Sequence, residues 1–187
     1  MNITTCKIKD LLIIEPRVFE DDRGYFFESF NAKTFFDLTG KRNEFVQDNE
    51  SKSTYGTLRG IHFQNSPFNQ AKLVRAVSGK ILDVAVDLRP NSPTFGEWYS
   101  EILSEENKKQ LYVPRGFGHG FVVISEIAVF SYKVDNYYSK QHDSGIMWND
   151  TSLDIDWQIS KSDLILSEKD KNLQSFDDFC KQNTIWS

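Results

Sequence analysis

The stretch Lys80-Ile81-Leu82-Asp83-Val84-Ala85-Val86-Asp87-Leu88 alternates with a period of two. Leu82, Val84, Val86 and Leu88 take one face, and Ile81, Asp83, Ala85 and Asp87 take the other. A helix cannot hold that period, so this segment is a strand. Lys72 to Val77 runs up to Ser78-Gly79 just before it, and the pair predicts a hairpin. A second antiparallel pair is expected at 116–124 and 127–138, joined through Ser125-Glu126, with Ala128, Phe130, Tyr132 and Val134 on one face. Similar short runs recur upstream. Leu11 to Ile14 is stopped by Pro16, Asp21-Asp22-Arg23-Gly24 reads as a turn, and Tyr25 to Phe30 reads as an aromatic strand. One short helix is expected over Asn31 to Leu38, ended by Gly40. Many strands, frequent turns and almost no helix predict an all-β sandwich or barrel.

The chain has 187 residues, 39% of them hydrophobic, which suits one soluble domain spanning 1–187. The polar stretch from about Ser160 is expected to form a short helical appendage. At this length roughly 70% of the unfolded surface can be buried, so the core needs no staple of disulfides or metal. The mean hydropathy is -0.49 and no long apolar run occurs, which excludes a membrane-spanning helix. The opening residues, Met1-Asn2-Ile3-Thr4-Thr5-Cys6-Lys7, lack a basic segment followed by an apolar one, so a cytoplasmic protein is expected. A net charge of -5 argues against nucleic acid as a partner. Two cysteines, Cys6 and Cys180, cannot make a zinc ribbon or a disulfide framework. Three histidines leave few candidates for a base or a ligand.

Each candidate has two readings. Asp83 lies among apolar neighbours on a strand expected to be buried, and a buried carboxylate needs a partner. It either closes a structural ion pair or orients a catalytic histidine. His62 lies in Leu58-Arg59-Gly60-Ile61-His62-Phe63-Gln64, either as a satisfied core residue or as a catalyst. Strict alternation separates Arg59 from His62, and a bulge at Gly60 would bring them together. Lys72 follows closely enough to lie on a strand neighbouring His62. His119 belongs to Pro114-Arg115-Gly116-Phe117-Gly118-His119, whose Pro-x-Gly-x-x-His spacing resembles the second signature of the cupin double-stranded β-helix, a jelly-roll barrel. The first cupin signature supplies His-x-His and a Glu to a metal. Here Gly60 stands where one histidine would be, so a cupin without metal or other cofactor is expected. No GxGxxG, GxxxxGK[ST] or GxSxG motif is present.

With these residues stand further blocks: Asp22-Arg23-Gly24-Tyr25-Phe26-Phe27-Glu28-Ser29, Phe45-Val46-Gln47-Asp48-Asn49, Lys72-Leu73-Val74-Arg75, Ser92-Pro93-Thr94-Phe95-Gly96, Asn136-Tyr137-Tyr138 and Leu166-Ser167-Glu168-Lys169-Asp170. In this order and spacing the chain resembles the dTDP-4-dehydrorhamnose 3,5-epimerase family over about residues 3 to 175. That family inverts C3 and C5 of a 4-keto-6-deoxy sugar carried on dTDP. The resemblance implies His62 as the base that removes the proton beside the ketone and Tyr132 as the acid on the opposite face. It implies Asp170 as the partner of His62, and Lys72 with Arg59 as stabilisers of the enolate oxygen. Arg23, Glu28, Gln47, Asn49, Arg59, Lys72, His119, Asp143 and Lys169 would line the nucleotide-sugar site, and Tyr138 would stack on thymine. The family is a homodimer that shares part of each site through exchange of N-terminal strands.

The roles make physical sense. A C–H beside a ketone is a very weak acid, so preorganised positive charge must stabilise the anion it leaves. Imidazole, with an ordinary pKa of about 6.5, is a base near neutral pH. Two alternatives stay open at this level. Ser167-Glu168-Lys169-Asp170 has the spacing of a helix capping box, and a carboxylate bonded to its own cap is not free to orient His62. Asp83 competes with Asp170 as the histidine's partner. The chain departs from the family pattern at Glu50, where His is common, and at Trp157-Gln158, where Trp-Pro is common.

Overall fold

The computed structural model describes residues 1–42 and 44–182. The strands run β1 (Asn2–Thr5), β2 (Leu12–Glu15), β3 (Phe19–Asp21), β4 (Gly24–Phe26), β5 (Gln47–Thr54), β6 (Leu58–Gln64) and β7 (Lys72–Ser78). They continue as β8 (Lys80–Asp87), β9 (Trp98–Ser104), β10 (Gln110–Val113), β11 (Phe117–Val123), β12 (Ile127–Val134) and β13 (Asp143–Gly145). Helix α1 (Ala32–Thr39) separates β4 from β5, and α2 (Glu168–Lys171) and α3 (Phe176–Lys181) close the chain. The tail of the polar C-terminal stretch, 183–187, lies outside the described residues. The expected helix forms as its ends dictate: Asn31 caps the Thr34 N–H, and Gly40 closes the helix at φ 68°.

Two antiparallel sheets face one another, in strand orders β1-β2-β10-β7-β12-β5 and β13-β6-β11-β8-β9. This is a cupin-type jelly roll. Between the sheets lies a core of Val74, Ala76, Ile81, Ala85, Leu111, Phe121, Phe130 and neighbours. The outer face of the five-stranded sheet is buried too. There Leu82, Val84, Val86 and Leu88 meet Leu153, Trp157 and Phe179 from the C-terminal segment. Both faces of β8 are therefore buried, as its alternation requires, and Asp83 and Asp87 are buried with it.

The two expected hairpins are not hairpins. Although Ser78-Gly79 turns the chain, β7 pairs with β10 and β12 whereas β8 pairs with β9 and β11. The same is true of β11 and β12, which leave Ser125-Glu126 in opposite sheets. Both turns are corners where the chain crosses from one sheet to the other. The corners lock together: Lys80 N–H donates to Ser125 Oγ at 2.8 Å, and Ile124 N–H donates to the Lys80 carbonyl at 3.0 Å. Gly79 sits at φ 72°, and a Cβ there would meet the Ile127 carbonyl oxygen at 2.0 Å. Alternation reports the faces of a strand and says nothing about its partner. For the same reason Lys72 lies across the barrel from His62 and not on a neighbouring strand. The aromatic strand is also shorter than expected. Only Gly24–Phe26 pairs, with Phe19–Asp21, in a two-stranded hairpin that joins neither main sheet.

One irregularity prepares the site. In the pairing of β6 with β11, His119 opposes His62 and Phe121 opposes Arg59, so β6 holds one extra residue between them. That bulge places Arg59 and His62 on one face. Gly60 takes it at φ 129°, with no room for a side chain: a Cβ would lie 2.5 Å from Gly120 Cα. Gly60→Ala is expected to cost about 1–3 kcal/mol from backbone strain alone, and to lose activity by moving Arg59 off the His62 face. Thermal unfolding and turnover of the same preparation check both effects.

Candidate active site

A cavity of about 400 Å³ opens between the sheets, lined by Arg59, His62, Lys72, His119, Tyr132, Asp170 and others. Strands β6 and β11 of the five-stranded sheet bring Arg59, His62 and His119. Strands β7, β12 and β5 of the facing sheet bring Lys72, Tyr132, Asn49 and Ser51. Helix α2 closes one side with Ser167, Lys169 and Asp170. A second cavity of similar size opens near Arg89 and Arg115. Its guanidinium groups are engaged by Asp87, Asp10 and Asp135, and no imidazole or phenol lines it.

His62 Nε2 lies 2.6 Å from Asp170 Oδ1. The imidazole is 28% exposed to the cavity, while the carboxylate is 4% exposed. Ser167, not Asp170, caps helix α2, and the carboxylate holds both the histidine and the capping hydroxyl because its oxygens divide them. Oδ1 takes His62 and the Gly60 N–H, and Oδ2 accepts from Ser167 Oγ at 2.5 Å. Ser167 Oγ in turn accepts from Asp170 N–H at 3.1 Å. Burial alone would raise the Asp170 pKa, but the bonds from His62, Ser167 and Gly60 hold it below the usual carboxylate value. The bulged Gly60, whose N–H has left the ladder, thus helps anchor the carboxylate opposite it. Asp83 is not the partner of His62. It pairs with His119, whose Nε2 lies 2.9 and 3.0 Å from its two oxygens.

Lys72 stands half-buried at the start of β7, and no hydrogen bond or ion pair among the described residues engages its ammonium. Burial pushes its pKa down to about 8, against the opposing pull of Asp83 and Asp143, with Lys169 adding to the depression. Tyr132 faces the cavity beside Phe130, ring centroids 5.5 Å apart. Burial raises its phenol pKa, with Arg59 pulling the other way, so it carries its proton at neutral pH. The Arg59 guanidinium rests on Ser53 Oγ at 3.2 Å.

The remaining expected residues divide into two groups. Asn49 lines the cavity, and Gln47 donates to its side chain at 2.8 Å. Lys169, which lines the cavity, donates to Asp143 Oδ2 at 2.5 Å, and the exposed Tyr138 donates to the same oxygen at 3.0 Å; neither Asp143 nor Tyr138 lines the cavity itself. Arg23 and Glu28 are not brought to the cavity. Arg23 is bound to Asp21 on the β3–β4 hairpin, and Glu28 accepts from Asn31. Phe121, Phe130, Ser51 and Ser167 line the cavity although sequence reasoning did not assign them there. Phe130 and Ser51 could have been found, since they share the faces of Tyr132 and Asn49 by alternation. Glu50, where the chain departs from the family pattern, is exposed and also lines the cavity between Asn49 and Ser51.

No group of three His, Cys, Asp or Glu side chains among the described residues converges on one point. What converges is an imidazole held by a carboxylate on one wall, a protonated phenol on the facing wall, and an ammonium and a guanidinium with them. On a jelly-roll barrel of cupin type, that set pairs a base on one wall with an acid on the other and places two cations beside them, the equipment of proton transfer. The chain belongs to the dTDP-4-dehydrorhamnose 3,5-epimerase family, whose model matches residues 5–178. It is similar to the dTDP-4-dehydrorhamnose 3,5-epimerase of Shigella flexneri, 53% identical over 95% of this chain and 97% of that protein. Among solved structures it resembles the enzyme of that name from Elizabethkingia anophelis, 57% identical over 95% of this chain and 97% of the other, with a TM-score of 0.92. It also resembles a dTDP-6-deoxy-D-glucose-3,5-epimerase from Legionella pneumophila in complex with dTDP-4-keto-L-rhamnose. That pair is 46% identical over 94% of this chain and 93% of the other, with a TM-score of 0.91.

Proposed function

We propose that this chain inverts C3 and C5 of dTDP-4-dehydro-6-deoxy-D-glucose, giving dTDP-4-dehydro-L-rhamnose. The observation that carries the reading is the His62–Asp170 dyad in one cavity with Tyr132 and Lys72. His62 takes the proton alpha to the C4 ketone, and Asp170 steadies the imidazolium that results. The enolate oxygen forms against the Lys72 ammonium with help from Arg59. Tyr132, on the opposite wall, returns a proton from the other face of the ring. The same step at the second alpha carbon completes the reaction. Asn49, Gln47, His119, Asp143 and Lys169 hold the nucleotide sugar, and Tyr138 offers its exposed ring to the thymine.

Incubating the substrate in D2O with the enzyme tests this. Deuterium is expected at both C3 and C5, and uptake at one carbon alone would make the chain a mono-epimerase. Tyr132→Phe separates the roles. Exchange with solvent is expected to survive while inversion fails, and loss of both would place Tyr132 in binding or folding instead.

The working form in this reading is a cytoplasmic homodimer. Supporting it, Phe19, Tyr25 and Phe26 are 51%, 56% and 66% exposed on a hairpin that neither main sheet covers. Aromatic clusters of this kind mark protein contact surfaces. Arg23 and Glu28 lie on or beside the same hairpin, so a second copy that receives it would also receive them. Phe26→Asp is expected to yield a monomer by light scattering, with weaker binding of the nucleotide sugar. A protein that is monomeric before the substitution overturns this part of the reading.

A further inference from the structure

The cavity contains a second imidazole–carboxylate pair that the proton transfer above does not use. His119 and His62 oppose one another across β11 and β6, and both line the cavity. Their environments differ. His62 is 28% exposed, whereas His119 is 6% exposed and its partner Asp83 is wholly buried. The His119 ring lies nearly parallel to Phe130, with centroids 6.1 Å apart. Both Asp83 oxygens approach Nε2, while no protein group among the described residues bonds Nδ1. Asp83 lies on β8, one strand further from the cavity than His119, and no other side chain among the described residues hydrogen-bonds its carboxylate.

We infer that Asp83 is a positioning residue of this site: it holds His119 in the tautomer with the proton on Nε2, leaving Nδ1 as a hydrogen-bond acceptor for a hydroxyl of the bound sugar. The inference rests on the nucleotide-sugar reading for the identity of that hydroxyl, though not for the tautomer. An ionised carboxylate only accepts hydrogen bonds, so the ring nitrogen it holds must carry the proton. The other nitrogen of a neutral imidazole is then a lone pair. Burial disfavours a second proton on the ring, and the neighbouring Lys72 cation adds to it, so His119 is held below its ordinary pKa despite Asp83. The arrangement divides labour within the site. Lys72 and Arg59 are donors for the enolate oxygen, while His119 is an acceptor that takes a hydroxyl and leaves the oxyanion to the cations. A sugar with a hydroxyl beside its ketone presents both kinds of group within one ring.

Nitrogen-15 NMR of the intact enzyme, labelled at histidine, tests the tautomer without reference to turnover. The His119 signals are assigned by comparison with His142→Gln and His62→Asn. Near neutral pH, His119 Nε2 is expected to be pyrrole-type and Nδ1 pyridine-type. A pyrrole-type Nδ1, or an imidazolium, overturns the inference. Saturating dTDP-L-rhamnose should shift the Nδ1 signal in the direction of an accepted hydrogen bond, and dTDP alone should not. An unmoved Nδ1 in the sugar complex overturns the acceptor role. In Asp83→Asn, Nδ1 should gain pyrrole character and kcat should fall at least tenfold with KM changed less than threefold. Wild-type nitrogen shifts and kcat in that variant would assign Asp83 to structure alone. Should Asp83→Asn fail to fold, the spectra of the unaltered enzyme decide. A wild-type enzyme that turns over no 4-keto sugar nucleotide would sink the functional reading and leave the tautomer result standing.

Discussion

His62→Asn is expected to lower kcat by roughly 10²–10⁴, the range that a positioned general base supplies. Asparagine keeps a polar side chain of similar size but cannot accept a proton at neutral pH. Substrate should therefore still bind, and KM should change little. Deuterium uptake from D2O at C3 and C5 should fall in step with turnover, because abstraction itself is lost. That pattern separates this variant from Tyr132→Phe, in which exchange persists without inversion. Asp170→Asn is a second arm of the test. Its amide can retain the Ser167 contact but cannot stabilise the imidazolium, so kcat should fall while the fold is kept. Turnover within a few fold of wild type in His62→Asn would remove the dyad from the mechanism.

Lys72→Met is expected to cost about 10²–10³ in kcat, as for the loss of one oxyanion donor. The thioether matches the stem of lysine and removes only the charge, so the barrel should be no less stable. The charge also predicts a pH dependence. Burial holds the Lys72 pKa near 8, below the ordinary 10.5. Below pH 8 the ammonium is intact and this group imposes no loss. As pH rises through 8 the cation is neutralised, and kcat/KM should fall about tenfold per unit beyond it. Bound substrate adds anionic charge and raises the lysine pKa, so the alkaline limb of kcat should lie higher than that of kcat/KM. Lys72→Arg keeps its charge across the whole range and should lose the limb, whatever its rate. A wild-type kcat/KM that stays flat to pH 10 would overturn the assignment of Lys72 to the oxyanion.

The parts of this protein differ in how far they could be read from its residues. Strand faces were legible wherever the period-two pattern was long. In β8 the alternation placed Leu82, Val84, Val86 and Leu88 on one side and Asp83 on the other, and the structure has them so. Strand partners were not legible. The Ser78-Gly79 turn looks like a hairpin turn because its local chemistry is that of one, yet it joins two sheets. A corner and a hairpin place the same demand on glycine and differ only in where the second strand finds its hydrogen bonds. The partner of His62 was undecidable for a similar reason. Asp83 was nearer in sequence and on a buried strand, while Asp170 had its place in a capping box. Only the folded chain shows one carboxylate oxygen on the capping hydroxyl and the other on the imidazole.

By itself the sequence determined that this is an all-β chain with a small set of chemistry-bearing residues, because alternation, turn glycines and scarce histidines are properties of the residues in order. It also carried its family in the spacing of those residues. The tertiary structure decided which sheet each strand joins, which carboxylate serves which imidazole, and that Arg59 shares a face with His62. Those are long-range matters. Residues 62 and 170 come within 2.6 Å only because the C-terminal segment buries Trp157 and Phe179 against the outer face of β8 and its neighbours and carries helix α2 to the cavity. Local preference cannot encode a contact whose energy comes from packing between distant parts of the chain.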